Sequence, residues 1–83
     1  MKKVFYAVYD RKAEQYSAPF LEVKDGTAIR AIQDMVTNSP DHPFAKHPTD
    51  YSLHRLGVFE DETGEIIIEQ KAKLTEFEQL IGE

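Results

Sequence analysis

Three histidines, His42, His47 and His54, fall close together, the first two each directly before a proline. Imidazole suits zinc, and Asp41 or Asp50 would add an oxygen donor. The spacing matches no recognised zinc motif, however, and Pro43 and Pro48 restrict the backbone that would have to fold around an ion. These histidines read as loop residues that cap backbone groups or face solvent. Nucleophilic and hydrolytic chemistry have as little to work with. The chain has no cysteine and no H-E-x-x-H, and Ser17, Ser39 and Ser52 sit in no nucleophile motif. Glu60-Asp61-Glu62 with Glu65 clusters oxygens that a hard cation would accept, but without the spacing of a calcium loop. It reads as a solvated hairpin tip able to steer a basic partner. The expectation is a protein that is not an enzyme and holds no metal or cofactor.

The more productive residue types are aromatic and basic. A single nucleic-acid strand is bound by a positive groove with aromatic faces, because each stacked base contributes about 1–3 kcal/mol while Lys and Arg neutralise phosphates. Tyr9, Arg11, Lys12 and Tyr16 flank a first hairpin, and a twisted sheet would bring Lys46, Tyr51 and Arg55 to the same side. These seven are the candidate nucleic-acid-binding residues. Against them, strand aromatics usually belong to the core, and Asp10, Glu14 and Asp50 lie among the cations. Lys46 to Tyr51 also has a purely structural reading, a Pro-fixed loop that delivers the chain into a strand.

The elements that must position these groups follow from the apolar pattern. Val4 to Tyr9 is apolar on both alternations, as a central strand requires. Tyr16 to Val23 forms a second strand, which Pro19 confines to an edge or bulge because proline lacks the ladder donor. A helix opens at Asp25-Gly26-Thr27, with Asp25 or Thr27 as N-cap, and Ala28, Ile29, Ile32, Met35 and Val36 make its apolar stripe. Thr37 to Pro40 ends it, and an irregular loop follows to about Thr49. Tyr51 to Phe59 is a third strand with a bulge at Gly57, and Ile66 to Ile68 returns across a hairpin that Gly64 turns. Thr75-Glu76-Phe77-Glu78 has capping-box spacing, and Leu74, Phe77, Leu80 and Ile81 give a short amphipathic final helix. The order is ββαββα, and the fold class is α+β, a small antiparallel sheet with helices on one face.

Bulk properties set the frame. With 83 residues the chain is one domain, 1–83, with one core. At 41% hydrophobic and 30% charged it is composed like a folded soluble protein. Its formal charge of -5 is unevenly spread. Residues 1–55 hold eight Lys or Arg against seven Asp or Glu (+1), and residues 56–83 hold two against eight (-6). A locally basic face therefore remains available in the first two thirds. The apolar run after Lys2-Lys3 is cut by Asp10 and Arg11, too short for a signal peptide, and no stretch approaches the roughly 18 apolar residues that span a bilayer. A cytoplasmic protein without a membrane partner is expected.

The segments YAVYDRKAEQYSAPF, AIRAIQDMVTN and above all KHPTDYSLHRLGVFEDETGEI resemble the small non-structural protein of gokushovirus-type microviruses, phages with single-stranded DNA genomes. The similarity covers almost the whole chain to about Ile67, and Lys-His-Pro, Asp-Tyr-x-Leu, Leu-Gly-x-Phe and Thr-Gly carry it. The resemblance implies a DNA-binding or replication-associated role in the host cytoplasm, and no catalytic residues. Two readings stand. One is a non-catalytic module binding single-stranded DNA or modulating viral DNA replication and packaging. The other is an adaptor for phage or host replication or packaging proteins, without DNA contact. A homodimer suits both, because a small chain with a doubly apolar first strand gains core by pairing across a two-fold axis.

Overall fold

A computed structural model describes residues 1–81. Residues 82 and 83 of the expected domain lie outside the described residues. The fold is α+β, as the pattern predicts, with one antiparallel sheet and its helices on one face.

Strand β1 (Lys2–Asp10) is the organiser. Val4, Tyr6 and Val8 alternate onto one side, where Leu53 and Phe77 join them against Ala28, Ile32 and Val36 of helix α1 (Asp25–Asn38). Phe5, Ala7 and Tyr9 alternate onto the opposite side, which no helix covers. Strand β4 (Tyr51–Glu60) pairs along one edge of β1, and strand β5 (Glu65–Glu76) pairs beyond β4.

The other edge of β1 takes two short strands. β2 (Gln15–Tyr16) pairs with Tyr9 and Asp10, and β3 (Phe20–Glu22) pairs with Val4 to Tyr6. The single second strand expected from sequence is thus split between them. Ser17 is what holds the break: its amide donates to the Val8 carbonyl at 2.8 Å, and its Oγ accepts from the Val8 amide at 2.9 Å. Pro19, with no donor to lose, sits in the interruption at the sheet edge, as its chemistry requires.

Four further boundaries differ from expectation. Helix α1 is preceded by Lys24 and has no side-chain cap. Asp25 is instead drawn to the sheet, where its Oδ1 accepts from Tyr6 Oη at 2.7 Å and Arg55 Nη1 at 3.0 Å. The loop after α1 contains a one-turn helix, α2 (Pro43–Lys46), and a 3-10 turn, Pro48–Asp50. Strand β5 runs through Glu76, far past the three isoleucines. Thr75 therefore lies in a strand and opens no capping box, and α3 is confined to Glu78–Ile81. Tertiary packing overrides the local signal here: Phe77 is fully buried against the sheet, so the chain leaves β5 only at that anchor.

Gly57 meets its expected irregularity. The ladder shifts register between Phe5 and Tyr6 on one side and between Arg55 and Gly57 on the other. A Cβ built on Gly57 would lie 2.4 Å from the Ile67 carbonyl oxygen, so only glycine lets β5 approach.

Candidate nucleic-acid interface

The open face carries an aromatic cluster at the C-terminal end of β1. Register sets Tyr16 beside Tyr9, Ser52 across from Tyr9, and His54 across from Ala7. The Tyr9 and Tyr16 ring centroids lie 4.7 Å apart. His54 stands edge-on to both, at 6.2 Å from Tyr9 and 5.5 Å from Tyr16. The ammonium of Lys71, reaching in from β5, sits 4.4 Å from the Tyr16 ring centroid. Tyr16 is 40% exposed, so its ring is accessible from solvent.

His54 is fixed from below. Its Nε2 and the Oγ of buried Ser52 lie 2.9 Å apart and share a hydrogen bond. Partial burial, followed by the neighbouring Lys71 and Lys73 ammonium groups, holds its pKa below the ordinary 6.5. The imidazole is therefore neutral near pH 7, and Lys71 and Lys73 are the cations that most disfavour its protonation.

The seven residues expected to converge do not form one surface. Tyr9 and Tyr16 come together on the open face, and Arg11 and Lys12 lie in the connection just beyond them. That connection is shaped by Asp10, whose Oδ1 accepts from the amides of Lys12 and Ala13 at 3.0 and 3.2 Å, while Glu14 takes a φ of 57°. Lys12 is exposed and enters no salt bridge among the described residues. Arg11 is committed, donating to the Thr49 carbonyl and to Glu76. Arg11, and after it Lys73 at 2.8 Å, hold the Glu76 carboxylate below its usual range.

The other three lie elsewhere. Arg55 pairs with Tyr6 in the ladder and so points to the helix side, where Nε donates to Glu69 Oε1 at 2.9 Å and Nη1 to Asp25. Tyr51 packs against Phe44 and Phe77, 4.7 and 5.8 Å between centroids, and extends the core. Lys46 ends α2 in solvent. The reason is the strict two-residue period of a strand: from Tyr51 to Arg55, the odd positions face the helices and Ser52 and His54 face out.

The histidines are likewise dispersed. His42 caps α2, its Nδ1 accepting from the Phe44 amide at 3.1 Å, and His47 lies between α2 and the 3-10 turn. The residues that sequence reasoning missed are His54 as a ring donor, Ser52 as its support, and Lys71. His54 was legible once the register of β4 was known, since it alternates with Leu53. Lys71 was not, because Gln70-Lys71-Ala72-Lys73 has no apolar alternation to mark it as strand.

Towards the other end of β1 the open face turns apolar. Phe5 and Phe59 lie 6.2 Å apart, and a hollow of about 190 Å3 is lined by Phe5, Pro19, Leu56, Ile66 and Ile68. The acidic tip lies at this same end, its Glu60 and Asp61 carboxylates 3.1 and 2.6 Å from the Met1 amino nitrogen. No helix among the described residues is long and apolar enough to cross a membrane.

Residues 3–80 match the family model described as Phage ORF5 protein. The chain belongs to this phage protein family. The match runs through all of β5 and into α3, beyond the point near Ile67 where the motif resemblance fades. No curated protein and no solved structure matches the chain in the corresponding comparisons.

Proposed function

We propose that this phage protein is a non-catalytic module that binds single-stranded DNA on the open face of its sheet, in the setting of a microvirus whose genome is single-stranded. The observation that carries the reading is the Tyr9, Tyr16 and His54 cluster with the Lys71 ammonium over Tyr16. A base has a π face that replaces the ammonium on Tyr16, and the displaced Lys71 is then free to meet the phosphate beside that base. Lys12 adds a second phosphate contact from the β1–β2 connection. Neutral His54 offers a ring edge and a hydrogen-bonding nitrogen without excluding either group. Replication or packaging of viral DNA in the host cytoplasm is the role that fits such a surface.

Binding rests on few charges and is weak and sequence-tolerant. For single strands the logarithm of affinity falls with the logarithm of salt concentration by about 0.7 per phosphate neutralised. Two lysines therefore give a slope of about -1.4 on that scale. Titration of a fluorescent oligodeoxythymidine at two salt concentrations tests this. Saturable binding with that slope, reduced in Tyr16→Ala and in Lys71→Ala, is expected; undetectable or salt-insensitive binding at low ionic strength contradicts it.

A second reading rests on the apolar end of the same face, where Ile66 and Ile68 are 57% and 80% exposed. Such a patch suits a protein partner, and an adaptor for replication or packaging proteins would retain that partner in a pull-down from infected cells after nuclease treatment.

A further inference from the structure

A second hollow lies on the helix side of the sheet, away from the open face. Register places Gln15 and Tyr51 on either side of Asp10, so these three side chains form a row across β2, β1 and β4. Val8 and Ser17, joined by their backbone hydrogen bond, form the next row. Helix α2 supplies the facing wall with His42 and Phe44. The hollow between them is about 230 Å3, and its walls include Asp10, Gln15, Ser17, His42, Phe44 and Tyr51.

Rings and a carboxylate define what fits. The Phe44 ring centroid lies 4.5 Å from that of His42 and 4.7 Å from that of Tyr51, so one wall is a run of three rings. His42 uses Nδ1 to accept from the Phe44 amide, as only the uncharged imidazole does. Asp10 is the one carboxylate in the lining, and no Lys or Arg joins it among the described residues. Its Oδ1 holds the amides of Lys12 and Ala13, while Oδ2 accepts no hydrogen bond from the described residues. Asp50 adds a second negative charge close by: after burial, the charges of Asp10 and Asp50 hold the Tyr51 phenol above its ordinary pKa. The neighbouring cations stay outside the hollow. Arg11 is engaged by Glu76 and the Thr49 carbonyl, and Lys12 and Lys46 are exposed.

A carboxylate with a free oxygen beside aromatic rings suits a flat cation. Guanidinium stacks on rings and presents paired N–H donors to a carboxylate, which an ammonium cannot match. A nucleotide is disfavoured, because its phosphate would approach Asp10 and Asp50. The volume is below the roughly 300–1,000 Å3 of small-molecule sites, so the hollow takes one side chain.

We propose that the hollow between the β1–β2 hairpin and α2 receives an arginine side chain from a basic protein partner, its guanidinium on Asp10 and against the Phe44 and Tyr51 rings. An arginine anchored in a pocket is the kind of contact that dominates binding energy at protein interfaces. The site lies across the sheet from the proposed DNA-binding surface and stands whether or not that surface binds DNA.

Titration of the isotope-labelled full chain with the acetylated, amidated peptide Gly-Arg-Gly-Arg-Gly tests this. Saturating shifts are expected at Asp10, Gln15, Phe44 and Tyr51. The same peptide with citrulline, which keeps the shape and loses the charge, should bind about tenfold or more weakly, and a lysine version should also bind more weakly than arginine. The citrulline arm reads the charge on the wild type, without any variant. Asp10→Asn keeps an oxygen that accepts from Lys12 and Ala13, so its circular dichroism should be unchanged while its affinity for the arginine peptide falls by a similar factor. Arginine, lysine and citrulline peptides that bind alike, an Asp10→Asn variant that binds as the wild type, or shifts confined to residues outside the hollow overturn the proposal. So does an oligodeoxythymidine that shifts Phe44 and Tyr51 and displaces the arginine peptide, which would give the hollow to a nucleobase.

Discussion

Individual side chains on this protein divide by parity. Of the tyrosines, Tyr6 and Tyr51 face the helices and Tyr9 and Tyr16 face out, so composition alone says little about which rings are available. The aromatic and basic types were legible in the sequence, but their sidedness was not. Arg55 shows why: its cation reads as a phosphate contact until the register puts it beside Tyr6, with Asp25 and Glu69 already on it. His54 yields a pH prediction. Its folded pKa is depressed, so as pH falls through 6.5 the unfolded chain takes up the proton first and stability drops, until pH passes the lower folded value. Lys71, Lys73 and Arg11 oppose the charge on the imidazole and Glu76 favours it. Thermal melts between pH 7 and 5.5 should show the wild type losing more stability than His54→Gln; equal losses would remove His54 from the account. That interval brackets the ordinary histidine pKa of about 6.5.

Among the elements, β1, α1 and β4 were readable because each repeats one period over many residues, and the bulge was readable because Gly57 interrupts one. β5 was only partly readable. Glu65 is followed by three isoleucines, but from Glu69 to Lys73 only Ala72 is apolar, and the place of this strand is dictated by β4 rather than by its own pattern. The local capping signal at Thr75 lost to the burial of Phe77. Gly57 gives the prediction at this scale. Gly57→Ala places a methyl against the Ile67 carbonyl and forces β4 and β5 apart, at a cost of about 1–3 kcal/mol in chemical denaturation. Gly26→Ala, where an added Cβ meets nothing within 4 Å, should cost far less and serves as the control. Similar losses at the two positions would mean that the close approach of the strands is not what Gly57 provides.

For the molecule as a whole, the proposed DNA-binding face has to coexist with a formal charge of -5. The acidic C-terminal third does not act as one block. Glu60, Asp61 and Glu62 gather at the end where β1 begins, and Tyr9 and Tyr16 lie at the end where it finishes. With about 3.3 Å per residue along the strand, the two ends are separated by well over the Debye length of about 8 Å at physiological salt. Glu69 and Glu76 return towards the sheet but are paired, with Arg55 and with Arg11 and Lys73. Beside the tyrosines stand Lys71 over the Tyr16 ring, and Lys12 in the adjoining connection together with the acidic Asp10, whose carboxylate accepts from backbone amides, and Glu14. The most direct measurement is a titration of isotope-labelled protein with an oligodeoxythymidine, followed by amide and aromatic chemical shifts. The account predicts saturating shifts at Tyr9, Tyr16, Ser52, His54 and Lys71, with α1 unmoved; shifts confined to the helix side, or none, would contradict it.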